Sequence, residues 1–198
     1  MNIRMIALLI GFAALPTLAQ AADRAATSAA VTERAAVLQT VERGASLSSN
    51  NQQYQILTGV RAVKSLAKEQ PQQTLTRMGG GKLIETKGAF VVFTAAQQSA
   101  ASVTSVNGTA YPAVVNSRTG GIGIMPGTLN VKLKDSANAA TVASAHGLEM
   151  VRVFSHLQTA FYQVKTGQDV LAAAAALSAD VRVESAEVEV IEHMNVPH

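Results

Sequence analysis

The chain of 198 residues contains no cysteine. No disulfide can staple it, so packing alone must hold its fold. That excludes a small cross-linked scaffold and requires a real hydrophobic core. Aromatic residues make up only 4% of the sequence, and a formal charge of +3 is spread without a long basic run. Nucleic-acid binding calls for clustered Arg and Lys with rings that stack on bases, so the composition argues against it. No serine lies in a G-x-S-x-G frame. Ser, His and Asp fall in no recognisable order, although a triad is a spatial arrangement and a hydrolase stays open as an alternative. Gly79-Gly80-Gly81-Lys82 lacks phosphate-loop spacing, and Leu83 stands where a hydroxyl would hold Mg²⁺. The histidines, His146, His156, His193 and His198, do not share the short spacing of a metal site. No catalytic residue, metal or cofactor is expected, and binding is the function that remains.

The amino terminus is distinctive. Asn2 and Arg4 precede an apolar run over residues 5–15, and Ala19-Gln20-Ala21 follows. A basic start, a short apolar run and an A-x-A site predict a secretory signal peptide over 1–21, cut after Ala21. The run is too short to span a bilayer. The mature chain is therefore expected in the periplasm or outside the cell, with enough residues for one large or two small domains.

Residues 22–126 read as a small mixed α/β domain. Val31, Ala35, Leu38 and Val41 have helical spacing, and Gly44 is a natural stop. Residues 46–53 read as a polar loop. Ile56, Val60, Val63, Leu66 and Ala67 share a helical face, which predicts a second helix over 55–69 ended by Pro71. Strand chemistry follows. Lys87-Gly88 and Asn107-Gly108 each read as the turn of a hairpin, and Ile122-Gly123-Ile124 as a further strand. Pro126-Gly127 marks the expected boundary.

Residues 127–191 read strand, helix, strand, strand, helix, strand. Residues 128–134 alternate polar and apolar, as a half-buried strand does. Asp135 or Ser136 caps a helix over about 137–146 that Gly147 closes. Strands around Val151–Val153 and 161–165 precede a helix at 170–177 with five successive alanines. In the last strand, about 182–191, apolar parity shifts, which predicts a bulge near Glu184-Ser185. This order is that of a ferredoxin-like βαββαβ sheet with both helices on one face, and the fold class is α+β. Met150, Phe154 and Phe161 fall on the opposite face by parity. Either a partner or the first domain covers that face. Glu184, Glu187, Glu189 and Glu192 form an acidic ladder, readable as a solvated strand or as carboxylates aimed at a partner's helix N-termini.

The element order, together with Leu129, Val131, Leu133 and Asn138, His146-Gly147-Leu148 and Val183-Glu184-Ser185-Ala186-Glu187, resembles the propeptide domain of subtilisin-like serine proteases, a family that includes free-standing inhibitors. A propeptide normally precedes its protease, whereas this sequence stops at His198. The layout is similar to that of external chaperones of exported alkaline serine proteases. The resemblance implies a one-to-one complex with such a protease and no membrane partner after signal cleavage. The open face, with Phe154 and Phe161, would pack on two protease helices, and Glu187 and Glu189 would cap them. Residues Glu192, His193, Met194, Asn195, Val196, Pro197 and His198 would lie along the active-site cleft as an inhibitory tail. A periplasmic ligand-binding or envelope-assembly module is the alternative.

Overall fold

Among the described residues, ten strands form two antiparallel sheets, and short helices pack beside them. The computed structural model describes residues 35–95 and 110–192. The signal segment, the Asn107-Gly108 hairpin and residues 193–198 lie outside the described residues. The chain divides after Ala36, and the unit beginning at Val37 holds both sheets. Of the unit before it only residues 35 and 36 are described, and both are helical.

The first sheet corrects three expectations. Helix gives way to strand before Gly44: β1 spans Arg43–Ser49. Gly44 has no left-handed φ and lies against the Ile56 side chain. Residues 46–53 are not a loop but most of a hairpin, turned by Asn50 and Asn51, both at positive φ. Two consecutive left-handed residues suit a tight hairpin, and Asn tolerates that conformation.

The predicted helix over 55–69 is the 13-residue strand β2, Gln52–Lys64. The error has a definite cause. Gly59 sits at φ 76°, and the pairing register slips between Ile56 and Arg61. Tyr54 and Ile56 face one core, and Leu57, Val60 and Ala62 face another. A bulge that flips parity mid-strand turns a period of two into spacings of three and four, which mimic a helix.

Pro71 starts a helix rather than ending one: α1 is Pro71–Arg77, with proline in the first turn, where its missing N–H costs nothing. Gln73 Oε1 accepts from the Gln70 N–H at 3.0 Å. The Arg77 guanidinium, and after it the Leu66 N–H, hold the Glu69 carboxyl down at about 2.

Strands β3, Lys82–Lys87, and β4, Phe90–Thr94, form the predicted hairpin. Strands β5, Ala110–Asn116, and β6, Ile122–Ile124, complete a sheet of order β3-β4-β2-β5-β6, with β1 also on β2.

In the second sheet β7, Thr128–Leu133, leads through a 3-10 turn capped by Asp135 into α2, Ala139–Ala145. Gly147, at φ 65°, closes that helix. Strands β8, Glu149–Phe154, and β9, Thr159–Gln163, follow. Helix α3, Val170–Ser178, is capped by Asp169, which accepts from two backbone N–H groups. Strand β10, Val183–Val188, slips register between Val183 and Ser185, at the predicted bulge. The order is β10-β7-β9-β8, all antiparallel.

The two sheets share one core. Leu47, Tyr54, Ile56, Val114 and Met125 belong to the same buried cluster as Leu129, Tyr162, Val188 and the inward faces of both later helices. Leu129 is completely buried there. Leu129→Ala is expected to cost about 2–5 kcal/mol. Urea denaturation should show a lower midpoint and a single transition for both sheets; an unchanged midpoint, or two transitions, would refute the shared core.

Candidate partner-binding site

Alternation along β7 and β9 sorts their side chains. Leu129, Val131, Leu133, Ala160 and Tyr162 point into the core. Tyr162 donates its hydroxyl to the Ala139 carbonyl at 2.9 Å, and burial pushes its phenol up to about 12. That bond ties α2 to the sheet. Val142, Ala143, Val170 and Leu177, from α2 and α3, lie in the same cluster, so both helices occupy this face.

The opposite face carries Thr128, Asn130, Lys132, Thr159 and Phe161, all half-buried. Two depressions mark it, of about 510 and 360 Å³, and Phe154 and Phe161 line both. Among the described residues, none of 35–126 lines either depression. The Phe154 and Phe161 rings meet edge to face at 5.8 Å, and the Arg152 guanidinium lies 5.6 Å from the Phe154 ring centre. Such contacts fix the orientation of rings that remain partly exposed.

The parity assigned to Met150 needs correcting. The β8–β9 register slips between Met150 and Arg152. Met150 pairs with Tyr162 and so shares the core side of the sheet, at its edge, while Val151 lines the smaller depression with Phe154. Val151 is 60% exposed.

The acidic ladder divides. Glu187 pairs with Asn130 on the open face and is exposed; its carboxylate is 3.4 Å from the Asn50 N–H, at the tip of the β1–β2 hairpin. Glu189 follows, half-buried, and lines the smaller depression. Glu184 occupies the bulge and lines the larger one. The structure thus brings Glu187, Glu189, Phe154 and Phe161 onto one sheet face.

Glu192 goes elsewhere. Its carboxylate accepts from Tyr54 Oη at 3.1 Å, Asn116 Nδ2 at 3.0 Å and Thr119 Oγ1 at 3.1 Å. Lys87 Nζ donates to its backbone carbonyl at 2.8 Å. Burial, and then the Glu192 carboxylate, raise the Tyr54 phenol above its usual value. This pocket, of about 630 Å³, lies between the first sheet and residues 189–192. Sequence reasoning misses the donors to Glu192 because they come from three separated segments, and because β1 and β2 carry the patterns of a loop and a helix. The alternation of Tyr54 and Ile56 was the available signal.

The start of β10 is pinned by a further cluster. Asp180 accepts from Arg182 Nε at 2.9 Å and Nη2 at 2.6 Å, and from the Arg182 backbone N–H at 2.9 Å. His146 Nε2, at the C-terminal cap of α2, lies 2.8 Å from Asp180 Oδ2. Arg182 foremost, with its own backbone N–H and His146, holds the Asp180 carboxyl well below the usual carboxylate range. Among the described residues no group of three or more His, Cys, Asp or Glu could hold a metal ion, and no helix is long and apolar enough to cross a membrane.

The family profile described as Open reading frame 2 N-terminal domain, ORF_2_N, matches residues 25–197. The chain belongs to the ORF_2_N family. Comparison with curated proteins finds no match. Among solved structures, the ORF_2_N chain is similar to a chain of the crystal structure of Aeromonas sobria serine protease (ASP) and the chaperone (ORF2) complex. The identity is 25%, over 47% of this chain and 96% of that one, with a TM-score of 0.37.

The Asp180 cluster gives a signed pH dependence. A carboxyl whose native pKa is depressed adds stability above its unfolded pKa and loses it as pH falls through the native value. Asp180→Asn should therefore lower the denaturant midpoint of the ORF_2_N chain at pH 7. The gap to wild type should narrow below about pH 4, the ordinary range of an unfolded Asp. A gap that does not vary with pH would contradict the assignment.

Proposed function

We propose that the chain is an intermolecular chaperone and inhibitor of a secreted subtilisin-like serine protease, acting by binding rather than catalysis. One observation carries this reading: a rigid sheet whose two helices occupy one face and whose other face holds aromatic rings beside a row of carboxylates. A face of that kind suits a protein partner. The strand order β10-β7-β9-β8, with helices after β7 and β9, supports a ferredoxin-like, propeptide-type domain over 127–191. The complex named above pairs a serine protease with a chaperone, and the same pairing is proposed here.

In this reading Phe154 and Phe161 pack between two surface helices of the protease. Glu187 and Glu189, on the edge strand, meet the N-termini of those helices, where unpaired N–H groups and the macrodipole favour anions. The segment after Glu192 runs into the active-site cleft as a product would. A surface that fits the native protease lowers the free energy of native-like states, which speeds folding and then holds the enzyme inactive. The signal peptide over 1–21, cut after Ala21, places the chain in the periplasm or outside the cell. The first sheet, from Arg43 to Ile124, is the platform that carries the binding domain.

The test is refolding. A denatured subtilisin-like protease is diluted with and without the mature chain, and native yield and peptidase activity are followed. Yield should rise and activity should be blocked. Replacing residues 193–198 by a Gly-Ser stretch should relieve inhibition while leaving the complex detectable. No effect on either yield or activity would refute the proposal. Replacing Glu187 and Glu189 together by Ala should weaken the complex about three- to tenfold at low salt, from helix-terminus interactions. The loss should shrink at 1 M salt. A loss that does not depend on salt would remove these two residues from that role.

A further inference from the structure

Strand β10 does not end the ordered chain. Val190, Ile191 and Glu192 leave the second sheet and are received by the first. Ile191 and Ile124 exchange backbone hydrogen bonds, at 3.0 and 2.9 Å. The Glu192 carbonyl is held by Lys87 Nζ, and its carboxylate by Tyr54, Asn116 and Thr119.

The receiving surface is shaped for this segment. A Cβ on Gly121 would run into the Glu192 carboxylate, and one on Gly123 into Val190. Neither glycine has a left-handed φ. Their missing side chains are therefore explained by close approach and not by backbone conformation. Lys87 ends β3, at one end of the first sheet's strand order, and Thr119 precedes β6, at the other. Both reach Glu192, so the curled sheet closes on this residue from two sides. A strap needed only to tie down a strand would not call for a charge held by several donors in a cradle cleared by glycine.

We propose that Glu192 is a positioning residue, whose clamp in the first sheet fixes the point and direction from which residues 193–198 leave the fold. This rests on the reading of those residues as the inhibitory segment. It gives the first sheet a role in inhibition without any contact with the protease. A tail anchored at its root loses less conformational freedom on binding than one swinging from the end of β10, so the anchor raises affinity through pre-organisation.

The experiment is a coupling measurement with a second readout that needs no protease. Glu192→Ala, Gly121→Ala and the milder Thr119→Val are each made in the full chain and in a chain whose residues 193–198 are replaced by Gly-Ser. Glu192→Ala should weaken inhibition by the full chain about tenfold, the scale of a lost hydrogen bond to a charged group. In the Gly-Ser background it should change protease affinity less than twofold. Equal losses in both backgrounds, or no loss in the full chain, overturn the proposal. Because the sequence has no cysteine, Asn195→Cys gives a single site for a nitroxide label. In the free protein that label should become more mobile with Glu192→Ala or Thr119→Val, at unchanged circular dichroism. Unchanged mobility overturns the clamp. If wild type does not inhibit a protease at all, the functional reading falls while the label still decides whether the clamp exists.

Discussion

The backbone pairing of Ile124 with Ile191 is the constraint on which the rest of the molecule depends. The chain leaves the first sheet at Ile124, builds the second, and returns beside the point it left. Met125, at that crossing, is fully buried. With both crossings fixed together, the core side of β7 and β10 must face Leu47, Tyr54, Ile56 and Val114 as well as the two helices. Strand alternation then leaves the other side of the second sheet to solvent or to a partner.

That open face is polarised. Glu187 and Glu189 lie along β10 and its continuation, at one edge of the sheet, while Arg152 lies on β8, at the other. Phe154 and Phe161 sit toward the β8 side, and Lys132 is turned toward the Leu157 carbonyl. The β8 edge also carries Glu149, paired with Gln163 on the same side, so a docked protein would meet acid at the β10 edge and mixed charge at the β8 edge. The aromatic pair supplies apolar area, and the charges supply direction.

Much of the second sheet was legible in the sequence because its signals are local. Asp135, Gly147 and Asp169 mark helix ends through short-range chemistry, and the parity shift from Val183 to Ala186 gives the β10 bulge directly. The first sheet hid itself by the same device. The bulge at Gly59 spaces the buried residues of β2 as a helix would, and Asn50-Asn51 reads as loop polarity although it is a tight turn. The slip between Met150 and Arg152 left no comparable trace, so Met150 was given the wrong face. Glu187, Glu189, Phe154 and Phe161 could be gathered by parity alone. The partners of Glu192 could not: Tyr54 is 138 positions away, Lys87 105 and Asn116 76, and no periodicity links them.

The same long separations govern the order of assembly. The β1–β2, β3–β4, β5–β6 and β8–β9 pairs join neighbours in sequence, and such contacts form without closing long loops. The bonds of Tyr54 to Glu192 and of the Asn50 N–H to Glu187 span 138 and 137 positions, so they close far longer loops. By loop-closure entropy the bonds of Glu192 are expected to form after those hairpins. A chain that has formed only those hairpins already holds Phe154 on β8 and Phe161 on β9, while Glu192 still lacks its bond to Tyr54.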